Sequence, residues 1–217
     1  MSGNDKCNHK PFVLGLNGSP HRDRDTARSL VKALKRAEKC GAEIKFINLV
    51  DYGIFPCEGC SEHGCGVQAS KERDIKELKS LILRAEAFIL ATSVCYKGRT
   101  PHTASFVAKM TSMERKSLLE SKAGGLIITH ETQDGGVGDG LMGAFSDMGV
   151  IFPPYGVVNR GRIAKTIDAL GIIGELVSKL NPQLEDNLDG TTQRLEALGE
   201  NIMKVIEMMR CHRGKWR

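Results

Sequence analysis

Aromatic side chains are scarce in this 217-residue chain: one Trp, three Tyr and seven Phe make up 5%. So few rings leave no surface of interleaved aromatic and basic residues of the kind that stacks single-stranded bases. Nucleic acid is therefore not an expected partner. No apolar run approaches the ~18–20 residues of a membrane span, so no membrane partner is expected either. The start, Met1 to Lys10, is polar and lacks the apolar centre of a signal peptide, which makes the cytoplasm the expected compartment. Repeats and low-complexity stretches are also missing, and one domain over residues 1–217 is expected, with a helical C-terminal part over 160–211. The formal net charge is only +5, and part of it sits in the tail Arg210 to Arg217, read as a solvated terminus. Two phosphate-loop patterns are absent as well. Gly15 and Gly18 are spaced wrongly for G-x-G-x-x-G, and no G-K-[S/T] ending occurs.

What the chain does have is a regular alternation of short apolar runs with amphipathic stretches. Phe12 to Leu16 reads as a buried strand ending at a glycine turn. Thr26 to Lys39 reads as a helix, with Ala27, Leu30, Val31, Leu34 and Ala37 on one face, Thr26 as its cap and Gly41 after its end. Glu43 to Leu49 is a second strand, Ile75 to Ala85 a helix, and Ala87 to Thr92 a continuously apolar strand suited to cover on both faces. A helix follows Pro101 to about Arg115, then a strand at Gly125 to Thr129, a helix around Leu141 to Met148, and a fifth strand near Val150 to Val158 broken by Pro153-Pro154. Arg162 to Leu180 and the stripe Leu195, Leu198, Ile202, Val205, Ile206, Met209 close the chain as helices. This alternation predicts an α/β fold: a doubly wound five-stranded parallel sheet in flavodoxin-like order 2-1-3-4-5, with extra C-terminal helices.

In such a sheet, ligands sit beyond the carboxyl ends of the strands. Three loops qualify: Asn17 to Asp25, Ser93 to Pro101 and His130 to Gly138. The first has a turn glycine at Gly18, a hydroxyl at Ser19 and a helix N-terminus behind it, which together make an anion site. Arg22 and Arg24 add positive charge and Thr26 a second hydroxyl, while Asp23 and Asp25 bring negative charge that is unfavourable beside a dianion unless the two arginines neutralise it or the carboxylates point away.

Of seven cysteines, three crowd into Cys57-Glu58-Gly59-Cys60-Ser61-Glu62-His63-Gly64-Cys65. Without an export signal, such crowding points to metal or redox chemistry rather than structural disulfides. A [4Fe–4S] cluster takes four cysteines and zinc four Cys/His ligands. With three local cysteines, the cluster, zinc and a metal-free loop all stay open.

Gly18-Ser19-Pro20 followed by Thr26 resembles the G-S-P-x(5)-T signature of NAD(P)H-dependent FMN reductases and the related iron–sulfur flavoproteins, with similarity over residues 12–158. The resemblance implies that the first loop binds the FMN phosphate through Ser19, Arg22, Arg24 and Thr26, with His21 where the family often has arginine or lysine. It implies ring contacts from Ser93, Val94, Cys95, Tyr96, Lys97 and Gly98, and from Thr132, Gly135 and Gly136. No side chain need act as acid or base, since the chemistry is the flavin's. The implied activity is hydride uptake from NAD(P)H and electron delivery to an acceptor or redox protein partner. Cys57, Cys60 and Cys65 resemble three members of the family's four-cysteine cluster motif, and His63 stands nearest the missing one. The resemblance also implies a homodimer or homotetramer. The rival readings are a non-enzymatic flavodoxin-like electron carrier and a zinc- or nucleic-acid-binding module.

Overall fold

A computed structural model gives the fold and describes residues 9–56, 73–112, 119–130, 135–154, 156–161 and 191–212. Six strands form one sheet: β1 (Phe12–Asn17), β2 (Glu43–Asn48), β3 (Ala87–Cys95), β4 (Gly98–Arg99), β5 (Ala123–His130) and β6 (Val157–Gly161). The order is β2-β1-β3-β5-β6, with the two-residue β4 folding back antiparallel on the end of β3. All other pairings are parallel. Setting β4 aside, this is the expected 2-1-3-4-5 arrangement.

Helices α1 (Asp25–Lys39), α2 (Arg73–Arg84), α3 (Pro101–Ser112), α4 (Val137–Asp147) and α5 (Thr191–His212) cover both faces. The alternation along β1 explains the layers. Phe12, Leu14 and Leu16 enter one core with Leu78 and Ile82 of α2, Phe106 and Met110 of α3, and Leu141 and Phe145 of α4. Val13 enters the other with Leu30, Leu34 and Ala37 of α1 and Leu195, Leu198 and Ile202 of α5. A strand buried on both sides must be apolar along its length, as Phe12 to Leu16 is, and the one polar residue that ends it, Asn17, is hydrogen-bonded. Gly15 is small for a reason: a Cβ there would lie 2.4 Å from Leu34 Cδ1, so its absence lets α1 settle close to the sheet. The stripe on α5 is thus core, laid against α1 and the sheet.

Four local expectations are corrected. Helix α1 begins at Asp25, with Arg24 at the N-cap and no side-chain cap, so Thr26 is not the capping residue. Leu49 leaves β2 and opens a 3-10 turn over Leu49–Asp51. Helix α4 starts at Val137, taking over the end of the glycine-rich stretch. The last strand lies at Val157–Gly161 rather than Val150–Val158; of the earlier stretch only Ile151 makes an isolated bridge, to Ala123. The segment Arg162 to Leu180 lies outside the described residues. Among the described residues no helix is long and apolar enough to cross a membrane.

The end of α5 is tied to the start of β3. Arg210 grips Glu86 through Nε (2.7 Å) and Nη2 (2.5 Å), and His9 Nε2 lies 3.2 Å from the same carboxylate. Burial pushes the Glu86 carboxyl up, but the hydrogen bonds and charge of Arg210, together with His9, outweigh it and hold it below the usual carboxylate range. A lowered folded-state pKa contributes stability above the unfolded pKa and loses it as pH falls through the folded value. Glu86→Gln is therefore expected to cost about 1–3 kcal/mol at neutral pH in urea denaturation. The gap to the wild type should narrow as pH falls below the usual carboxylate range and close only below the lowered folded-state value, where the wild-type carboxyl is protonated too.

Candidate functional site

The reversal of strand order falls between β1 and β3, and the three candidate loops leave the sheet around it. The first loop crosses that crevice at once: Gly18 N–H donates to Ala91 O on β3 at 2.7 Å. The next peptide is held at both ends. Thr100 Oγ1 donates to the Gly18 carbonyl at 2.5 Å, and Ser19 N–H donates to Asn17 Oδ1 at 3.1 Å. Asn17, the last residue of β1, organises the loop. Its Nδ2 donates to His21 O at 3.0 Å and to Asn48 Oδ1 at the end of β2 at 2.8 Å. Ser19 is buried; its hydroxyl accepts from His21 N–H at 3.3 Å and from Ser93 Oγ at 3.4 Å. Two accepted bonds leave its own proton to donate. Behind the loop, the first turn of α1 carries no side-chain cap, so its dipole end faces the loop undiluted by a capping hydroxyl.

The predicted phosphate residues do not behave alike. Arg22 is exposed and pairs with Asp51 in the turn after β2 (Nε to Oδ1, 2.8 Å), rather than with Asp23 or Asp25. Arg24 is exposed and makes no ion pair among the described residues. His21 is exposed, and its backbone rather than its ring joins the loop network. Thr26 is buried, and its hydroxyl lies 2.6 Å from Thr129 Oγ1 on β5. Thr129 in turn reaches the Thr92 carbonyl at 3.4 Å, so Thr26 ties the first loop to the third strand end.

The second loop is a tight hairpin. Tyr96 and Lys97 both take left-handed backbone angles (φ 49° and 62°) between Cys95 and Gly98, which pair across β3 and β4. Two such residues in succession suit a type I′ turn but are strained without glycine. Val94 packs partly on the core, Cys95 is an exposed free thiol, and Tyr96 projects fully into solvent. The third loop meets this hairpin at Gly135, also left-handed (φ 63°): a Cβ there would lie 2.6 Å from Lys97 O. Gly136, at φ 75°, is the N-cap of α4. Thr132 lies outside the described residues. Two ring nitrogens at this edge, Nδ1 of His102 on α3 and Nδ1 of His130 at the end of β5, are buried without a hydrogen-bond partner among the described residues.

Beneath the crevice runs a cluster that local patterns do not reveal. Thr92, Thr100 and Thr103 are all buried. Thr103 Oγ1 donates to Thr92 Oγ1 at 2.9 Å and lies 3.0 Å from Thr100 Oγ1, while Thr103 N–H donates to Thr100 Oγ1 at 3.3 Å. Asn17, Asp51 and these threonines are the site residues that sequence reasoning missed. Only Asn17 gave a signal, as a buried polar residue closing an apolar strand. Cys57, Cys60, His63 and Cys65 lie outside the described residues. Among the described residues no group of three or more His, Cys, Asp or Glu side chains can hold a metal ion.

A doubly wound parallel sheet with an anion loop at its switch point is the architecture of the flavodoxin-like proteins. Solved structures agree on this fold. RosB, with bound 8-demethyl-8-formylriboflavin-5'-phosphate, superposes with a TM-score of 0.71 at 18% identity, over 92% of this chain and 80% of that one. A flavodoxin from the domain Archaea superposes at 0.55 and 11% identity, over 90% and 99%. At these identities the likeness is one of fold. The family model for NADPH-dependent FMN reductases matches residues 11–164, and the chain belongs to that family. It is also 30% identical over 118 residues to an iron-sulfur flavoprotein of Archaeoglobus fulgidus. That match spans 54% of this chain and 54% of the relative, so the chain is matched to about half of that protein's length.

Proposed function

We propose that this chain is an FMN-dependent oxidoreductase that takes a hydride from NAD(P)H onto the flavin and passes the electrons to an acceptor. The observation that carries the reading is the clamped Gly18–Ser19 peptide beside the uncapped start of α1, at the switch point of the sheet. The residues fit a phosphate monoester: Ser19 keeps a hydroxyl proton, and Arg24 keeps an unpaired charge among the described residues. A flavin ring reaching from that phosphate would meet the Ser93–Gly98 hairpin and the Gly135–Gly136 turn. There the buried Nδ1 atoms of His102 and His130 lack partners among the described residues. Flavin mononucleotide supplies, when bound, a hydride acceptor and a route to one-electron acceptors. The protein's part is to bind it, orient it and leave an open edge for the nicotinamide.

The cysteine loop is a separate proposal. Cys57, Cys60 and Cys65, with His63 as a fourth ligand, are offered to a [4Fe–4S] cluster; the C-x2-C-x4-C spacing and the name of the Archaeoglobus fulgidus relative support it. Iron and sulfide analysis, with zinc measured alongside, decides among cluster, zinc and no metal.

The purified protein should be yellow, or become so with FMN, absorbing near ~450 nm, and should oxidise NADH or NADPH with an added acceptor. A colourless protein that takes up no FMN would sink the reading. Bound flavin with no nicotinamide turnover would make the chain an electron carrier instead.

A further inference from the structure

We propose that Thr100, supported by Thr103, is the positioning residue that makes the first loop select phosphorylated over unphosphorylated flavin. The inference rests on the flavin reading above and extends it to the origin of anion selectivity. A glycine peptide flips easily, because Gly tolerates backbone angles of either sign. Released from its clamps, the Gly18–Ser19 peptide could thus turn its carbonyl toward a ligand. A carbonyl oxygen turned toward a phosphate would repel it. Thr100 settles the choice by drawing the Gly18 carbonyl inward at 2.5 Å, while Asn17 Oδ1 takes the Ser19 N–H at 3.1 Å.

Thr100 is itself held in place. Thr103 N–H donates to its oxygen at 3.3 Å, and Thr103 Oγ1 donates to Thr92 Oγ1 at 2.9 Å. Thr92 closes the chain by donating to Ser93 O at 3.2 Å. Thr103 and Thr92 thus spend their protons within the cluster and on β3, leaving Thr100 to donate to the loop, and all three side chains are buried from water that could substitute for them. Thr103 also occupies the space beside Gly18 where a Cβ would come within 2.0 Å of its Oγ1. Loop and cluster are therefore built to each other's shape. Neither threonine touches the loop's outer surface in this network; both act through Gly18.

The test compares FMN with riboflavin, which differ only in the phosphate, by fluorescence titration of the full chain. Thr100→Val keeps the shape and removes the donor. It should weaken FMN binding about 10-fold while leaving riboflavin within about twofold. Thr100→Ser should restore the wild-type ratio. Equal loss of both flavins, or no loss of FMN, overturns the proposal. If Thr100→Val does not fold by circular dichroism, Thr100→Ala removes the same donor and is read the same way. A wild type that binds neither flavin overturns the flavin reading instead. The proposal is then judged by the rise in Tm in inorganic phosphate, which Thr100→Val should abolish; an unchanged rise would overturn it.

Discussion

Gly18→Ala should cost the chain most of its affinity for FMN. The added Cβ would lie 2.0 Å from Thr103 Oγ1 and 3.3 Å from the Ala91 carbonyl. Neither neighbour gives way cheaply. Thr103 is fully buried and its hydroxyl is committed to Thr92, while Ala91 O is strand backbone that accepts the Gly18 N–H. Overpacking of this kind costs about 1–3 kcal/mol, and relief by lifting the loop would convert that cost into about 10–100-fold weaker phosphate binding. Placing Gly18→Ala in a Thr103→Ala background removes the clashing oxygen. Because the two positions touch, their effects should be non-additive, with the double variant binding FMN better than the sum of the single losses predicts. Equilibrium dialysis of the four proteins measures this directly. A Gly18→Ala protein that binds FMN within twofold of wild type would show that the loop has room the structure does not give it.

The same crevice shows what local pattern can and cannot reveal. The central strands are legible because burial on both faces forces continuous apolar runs, as in Phe12 to Leu16 and Ala87 to Thr92. The anion loop is legible because a glycine, a hydroxyl and a helix start are close in sequence. The last strand is misplaced by pattern for a physical reason. Val150 and Ile151 look like a strand, but Pro153 and Pro154 lack the N–H that a parallel ladder needs. Pairing with β5 resumes only at Val157, and continues through the polar Asn159 and Arg160, which look like a loop. Thr26 resembles a helix cap because its type and position suit one. Its hydroxyl instead goes to Thr129, more than a hundred residues away, and no window of local sequence carries that partner. The same holds for Arg22, whose charge answers Asp51 rather than the adjacent acids. Thr92, Thr100 and Thr103 become a unit only when the end of β3 and the start of α3 are folded over Gly18. Architecture is thus written in periodicity, while the polar wiring of the site is written in tertiary contacts.

Gly199→Ala should destabilise the fold, although the same change in an isolated helix would stabilise it. Glycine within a helix costs about 1 kcal/mol relative to alanine, so propensity alone predicts a gain. Gly199 sits in the middle of α5 where that helix crosses α1, and a Cβ there would lie 2.2 Å from the Ala33 carbonyl oxygen and 3.1 Å from Ala37 N. These are backbone atoms of α1, so no side-chain rotation relieves the contact. The helices must part, opening the core that Leu34 and Ala37 share with Leu198 and Ile202. Overpacking against backbone belongs at the upper end of the usual ~1–3 kcal/mol, which outweighs the propensity gain and leaves a net loss of about 2 kcal/mol. For a chain of this length that is a fall in Tm of roughly 4–8 °C. Gly143→Ala on α4 is the matched control: nothing among the described residues lies within 4 Å of the added Cβ, so propensity acts alone and Tm should rise by up to about 4 °C. Opposite signs from one substitution in two helices would isolate the α1–α5 crossing as the cause, and equal signs would refute it. The consequence reaches the site as well. Helix α1 carries the anion loop at its start and rests on Gly15 of β1 through Leu34. A helix pushed off the sheet at Ala33 should therefore lose FMN affinity along with stability.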